Sequence, residues 1–466
     1  MEALHYLTLS ELSSRLESRA ISPVEVTRQM LERIDALDGS LHSYVTVLPE
    51  SSLEEARSAE EEIERGAWRG PLHGVPVAVK DLCATRGVRT TCGSRVYRDW
   101  IPDHDACVIE KLRVAGAGLL GKLAMTEGAG SEHHPDVVPP KNPWDAARWT
   151  GISSSGSGVA TAAGLCFAAL GSDTGGSIRC PSACCGLVGL KPTYGLVSCY
   201  GVFPLAPSLD HVGPMTRSTR DAACMLQCLA GFDARDPASL RGAVPDYLHA
   251  IDHGIRGVRI GVDESYVRRG TSAEVQDALS RSLDVLRELG ALVVEIQMPP
   301  LDEVLRDFPH LSFVESLLSH ENTYPERASE YGPALREQLA AATKISGIAH
   351  ARAEQRRRCF SADLASRFEQ VDLIACPGFQ APAALLSALP HETDDPPWPE
   401  LVQFTAPYNY SGNPTLSLPN GSSSEGLPLS LQLVARHREE PLLFRAGHAF
   451  EQATDWHTHH PPEPVT

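Results

Sequence analysis

No run of apolar residues in this 466-residue sequence is long enough to cross a bilayer, and its first ten residues, M-E-A-L-H-Y-L-T-L-S, hold no basic stretch. Neither a membrane anchor nor a secretory leader is therefore expected, and the chain reads as soluble and cytoplasmic. Basic residues are also in short supply: 41 Lys and Arg stand against 59 Asp and Glu, for a formal charge of -18. That balance argues against a nucleic-acid or anionic-membrane partner. No repeat, low-complexity tract or long Pro/Gly/Ser linker divides the sequence, so one domain over 1–466 is expected. The 12 cysteines contain no C-x-x-C pair. They are scattered, with Cys184 and Cys185 adjacent in an apolar run, which reads as buried thiols in a reducing compartment. Metal-ligand spacing such as H-E-x-x-H is absent. His133 and His134 fall in a loop that could line a substrate entrance, and His457, His459 and His460 fall in a proline-rich tail expected to be disordered and solvated. No metal and no cofactor is expected.

What is present concentrates between Trp149 and Arg179. There W-T-G-I-S-S-S-G-S-G precedes an alanine-rich helical segment and then G-S-D-T-G-G-S-I-R. Two clusters of hydroxyls and glycines bracket one ordinary buried helix, and neither cluster helps to build a core. A Gly175-Gly176-Ser177 run can aim successive N–H groups into one space, which is what an oxyanion needs. Ser177 at its end is a candidate nucleophile if a base can take its proton. Upstream, Val75, Val77 and Val79 alternate with smaller residues in a strand pattern that ends at Lys80. A lysine there either extends to solvent or, if buried, loses its charge and becomes a base.

These residues carry a resemblance to the amidase signature family, serine hydrolases with a Ser, cis-Ser, Lys triad. The family's elements occur in order: V-A-V-K-D at Lys80, K-N-P-W-D at Lys141 to Asp145, S-S-S-G-S at Ser153, G-S-D-T-G-G-S-I-R at Ser177, and G-L-V-G-L-K-P-T from Gly186. The resemblance implies that Ser177 attacks the carbonyl carbon and that Ser153 carries protons between Ser177 and Lys80 and to the leaving amine. It also places the oxyanion hole at the backbone N–H groups of Thr174, Gly175, Gly176 and Ser177. Ser154 would either orient Lys80 or make a turn. Met125 would line the acyl pocket or pack in the core. Ile152 and Tyr408 are further candidate substrate contacts, and Asp173 and Arg179 are read as orienting the loop backbone. Ser155 and Ser157 are expected to cap the helix that begins near Val159.

Ile152 and Ser155 each replace a glycine that the family usually has, which leaves the triad intact and alters the substrate entrance. The fold implied is α/β, a large twisted mixed β-sheet with helices on both faces, a catalytic core over about 74–201 and a helical substrate-channel region over about 308–364. The activity implied is hydrolysis of a small-molecule carboxamide through an acyl-serine. An esterase or carbamate hydrolase is the alternative within that chemistry. A glutamine-dependent amidotransferase subunit is the alternative from another class. Such subunits carry an acidic residue shortly before the matching F-T, where this sequence has Leu401-Val402-Gln403. Relatives often dimerise, so a homodimer is one expectation for an oligomeric state otherwise open.

Overall fold

Eleven strands form one sheet in the computed structural model, which describes residues 3–389 and 401–463. In chain order they are β1 (Tyr44–Val47), β2 (Pro76–Lys80), β3 (Gly118–Leu123), β4 (Ala168–Asp173), β5 (Val188–Lys191), β6 (His211–Thr216), β7 (Arg259–Val262), β8 (Leu292–Glu295), β9 (Leu373–Pro377), β10 (Thr415–Ser422) and β11 (Pro428–Ala435). Across the sheet the order is β1-β3-β2-β4-β6-β5-β10-β11-β9-β7-β8. The trios β3-β2-β4 and β9-β7-β8 are parallel, and the other pairings are antiparallel, so the sheet is mixed as expected.

Every residue of β2, β3, β4 and β9 is buried. A strand presents alternate residues to opposite faces, so both faces of the sheet's interior are covered. The apolar run that made β2 recognisable, Val75 to Val79, is the kind of run that this double coverage requires. The helix Pro23–Leu41 is capped by Ser22, whose hydroxyl accepts from the N–H groups of Val24 and Glu25.

Parallel pairing fixes the chemistry's address. Val79 of β2 is in register with Leu170 of β4, so both strands end on the same edge of the sheet, Lys80 on one and Ser172-Asp173 on its neighbour. The carboxyl ends of parallel strands open onto loops, which is where α/β sheets hold ligands. The segment over 308–364 is mostly helical, in Asp302–Ser319, Pro333–Ala342 and Gly347–Arg367.

Three local expectations are corrected. The helix after Ser153 spans Ser155–Ala162, starting before Val159, and its serines do not cap it. Ser157 Oγ donates to Leu170 O at 2.9 Å, tying the helix to β4, and Ser155 Oγ meets His133. Tyr408, Asn409 and Tyr410 lie in the short helix Ala406–Ser411. The histidine tail packs: His460 stacks on Tyr6 with ring centroids 3.9 Å apart, and Glu463 pairs with Arg33 at 3.1 Å. Residues 464–466 of that tail lie outside the described residues.

Candidate active site

The loop Thr174 to Ser177 joins β4 to the helix Arg179–Cys185, and its shape is set by one buried ion pair. Asp173 and Arg179 are both fully buried, with Arg179 Nη2 2.9 Å from Asp173 Oδ1 and Nε 2.9 Å from Oδ2. Asp173 also accepts from Gly176 N–H at 2.8 Å, Ile178 N–H at 3.2 Å and Asn409 Nδ2 at 2.8 Å. Burial alone would raise its pKa. The Arg179 charge and hydrogen bonds, with Lys191 and Asn409, outweigh burial and hold the carboxyl well below the usual range. Gly176 has φ +133°, and a Cβ there would lie 2.7 Å from Thr405 Oγ1, so glycine alone fits. Thr405 Oγ1 in turn donates to Gly175 O at 2.5 Å.

This corrects the expected oxyanion hole. Gly176 N–H is spent on Asp173, because a buried carboxylate must collect donors, and the donors left to the loop are those of Thr174, Gly175 and Ser177.

Lys80 is fully buried, and its Nζ donates to Ser153 Oγ at 2.6 Å and to Ser172 Oγ at 2.8 Å. Burial lowers its pKa from the ordinary 10.5 to about 7, against the opposing pull of Cys83, Asp173 and Asp210. Asp81 points the other way, as strand neighbours do: its Oδ2 accepts from Thr91 N–H at 2.8 Å and its Oδ1 lies 3.7 Å from Lys122 Nζ. The Ile152–Ser153 peptide is cis, and Ser153 O accepts from Thr126 N–H at 3.2 Å.

Ser154 does not reach Lys80. Its hydroxyl donates to Ser172 O at 3.2 Å and accepts from Ser172 N–H at 3.3 Å, so Ser154 positions the serine that does bond the lysine. Ser172 was missed in the sequence. A hydroxyl at the end of a buried strand was a signal, but the parallel pairing that brings it to Lys80 is not written locally.

Ser177, half-buried, opens on a cavity of about 290 Å³ lined by Trp149, Ile152, Phe308, Phe313, Phe379 and Leu401 among others. Gly175 lies under the Phe308 ring, where a Cβ would meet Cζ at 2.6 Å. Among the described residues lining it, Arg306 is the charged one. Ile152 is one of its wall residues. Met125 and Tyr408 are not: both are fully buried in the main core, with Tyr408 OH 3.7 Å from Cys376 Sγ. Core packing claims them because the loop after β3 and the helix Ala406–Ser411 turn those side chains inward.

Among the described residues, no three His, Cys, Asp or Glu side chains converge as a metal site would require, and no helix is long and apolar enough to cross a membrane.

The family model for amidases matches residues 25–444. The chain is 43% identical to AmiD of Mycobacterium tuberculosis H37Rv, a protein named as an amidase, over 99% of this chain and 97% of that one. It is 40% identical to a glutamyl-tRNA(Gln) amidotransferase subunit from Moorella thermoacetica, over 98% and 99% of the two chains. Its backbone matches the crystal structure of a bacterial aryl acylamidase of the amidase signature family with a TM-score of 0.88 at 27% identity, over 97% of each chain. With matches of that extent to a hydroxyl-and-lysine site at the strand ends, the chain belongs to the amidase signature family and is a hydrolase acting on amide C–N bonds.

Proposed function

We propose that the chain hydrolyses an uncharged carboxamide with an apolar, ring-sized acyl group, through an acyl-Ser177 intermediate. The observation that carries this reading is the hydrogen bond from buried Lys80 to Ser153 beside a cavity into which Ser177 opens. In the proposed sequence Ser177 Oγ attacks the carbonyl carbon as its proton passes to Ser153, whose own proton moves to neutral Lys80. The tetrahedral oxyanion is held by the N–H groups left free of Asp173. Collapse breaks the C–N bond as Ser153 returns a proton to nitrogen, and an amine or ammonia leaves. Water then attacks the acyl-serine, with Lys80 again accepting a proton, and the carboxylate is released. One continuous sheet drawing strands from residue 44 to residue 435 supports a single folding unit for this machinery.

The cavity supports the substrate class. At about 290 Å³ it lies near the lower end of the roughly 300–1,000 Å³ range of ligand pockets, and its walls are aromatic and aliphatic. Among the described residues that line it none is a carboxylate, and an ammonium left there without a paired charge is costly, which disfavours free glutamine. The purified chain alone should therefore hydrolyse aryl-substituted primary amides faster than acetamide or glutamine. Glutaminase activity that requires a second protein would instead support the amidotransferase reading, to which the 40% identity lends its weight.

Two further outcomes follow from the same geometry. Phe308→Ala should raise kcat/KM for the bulkier of two acyl groups relative to the smaller by about tenfold, since one ring packed on Gly175 sets the cavity's depth. A preference unchanged in a matched pair of amides would place the acyl group elsewhere. Ser153→Ala should slow amides by about 10²-fold or more and activated nitrophenyl esters much less, because an amine needs a proton to leave and a nitrophenolate does not. Equal losses on both substrates would reduce Ser153 to a support for loop geometry.

A further inference from the structure

The loop after β3 carries a side chain that this reaction does not use. His133 is part-buried, and its Nε2 lies 3.0 Å from Ser155 Oγ. Ser155 is the first residue of the helix Ser155–Ala162 and follows Ser153 by two positions. The same loop holds this segment a second time through the Thr126 N–H to Ser153 O bond. Between the two ties the loop is closed on itself by Thr126 Oγ1 to Gly130 O at 2.6 Å and Glu127 N–H to Glu132 O at 2.8 Å. The loop thus holds Ser153 by its carbonyl and Ser155, two positions on, by its hydroxyl.

We propose that His133 and Ser155 form a brace that fixes the Ser153 hydroxyl against Lys80 and keeps water from the Lys80 amine, which makes His133 a positioning residue. The inference rests on the Lys80, Ser153, Ser177 reading above. An ammonium has three donors, and Lys80 spends two of them on Ser153 and Ser172. Water at the third would solvate the charge and restore the lysine's ordinary basicity. His133 is near enough to Lys80 to feel its charge. Burial first, and the Lys80 charge second, lower its pKa to about 4, so the ring is neutral at working pH. The other groups bearing on Lys80 are Cys83, Asp173 and Asp210, while Asp81 faces Lys122. Replacing a neutral ring leaves those charges in place, so a moved titration reports solvation and geometry.

The test is kcat, KM and the pH profile on one amide for His133→Ala, Ser155→Gly, the pair combined, and His133→Gln, which keeps a side-chain donor and acceptor. Each single truncation should lower kcat about tenfold with KM little changed, the size of a small misplacement of a reacting group. The double variant should be no slower than either single one, as expected when both remove one interaction. His133→Ala should move the ascending limb up by roughly half a pH unit or more, and His133→Gln should recover most of kcat. Losses that multiply, an unmoved limb, or a lowered Tm with unchanged kcat would overturn the brace. Full activity in Ser177→Ala or Lys80→Ala would sink the triad reading itself. Inactivity there beside parental kinetics in the His133 variants would sink the brace alone.

Discussion

Replacing Ser177 by alanine is expected to lower amide turnover by at least about 10⁴-fold without measurable loss of thermal stability, because the variant lacks its attacking atom and little else. The loop owes its shape to other groups: Asp173 gathers the backbone N–H groups and Arg179, and Thr405 and Asn409 hold it from the C-terminal side. Ser177 itself is half-buried at the cavity, where a hydroxyl contributes little to packing. A fluorophosphonate probe should label the parent chain at Ser177 and leave the alanine variant unlabelled, read by intact mass and peptide mapping. Labelling at another serine, or near-parental turnover in Ser177→Ala, would remove the nucleophile from the account. Ser177→Cys is a useful companion, since it keeps volume and changes only the attacking atom.

The distribution of what the sequence disclosed follows from which forces are local. Val75 to Lys80 was readable as a strand because both faces of the sheet's interior are covered, which demands continuous small or apolar residues. Lys80, Ser153 and Ser177 stood out as candidates because glycines and hydroxyls in a fixed order serve no core. Asp81 turns away from Lys80 by the alternation of an extended strand alone.

What could not be read depended on strands and helices meeting. Ser172 reaches Lys80 only because β2 and β4 pair in parallel, and Ser154 is drawn to the Ser172 backbone by the same pairing. Gly176 looked like an oxyanion donor until the burial of Asp173 gave its N–H a nearer acceptor. Met125 and Tyr408 are residue types that suit a pocket wall and a core equally, and the direction of their side chains decided for the core. His460 belonged to no motif, and its stacking on Tyr6 joins residues at opposite ends of the sequence.

Activity is expected to rise with pH through an apparent pKa of about 7 and to level off above it, and Lys80→Ala is expected to lose about 10³-fold in rate together with that limb. Only the neutral amine can take the Ser153 proton. An amine at the ordinary 10.5 would be almost wholly charged at neutral pH, whereas burial brings this one to about 7 and leaves a large neutral fraction. The carboxylates that oppose the shift, Asp173 paired with Arg179 and Asp210 bonded to Thr174, do not outweigh burial, and Asp81 faces Lys122. The same shift has a sign in stability. Between about pH 7 and 10.5 the unfolded chain still binds the proton that the folded chain has released, so the contribution of this site to stability increases with pH over that window. Lys80→Met, which keeps the apolar stem, should therefore flatten that rise in urea midpoints while remaining as inactive as Lys80→Ala. A pH-rate profile with its ascending limb intact in either variant would assign the base to another group. A limb lost in the variants without the matching change in midpoints would mean that Lys80 does not carry its depressed pKa in the free enzyme.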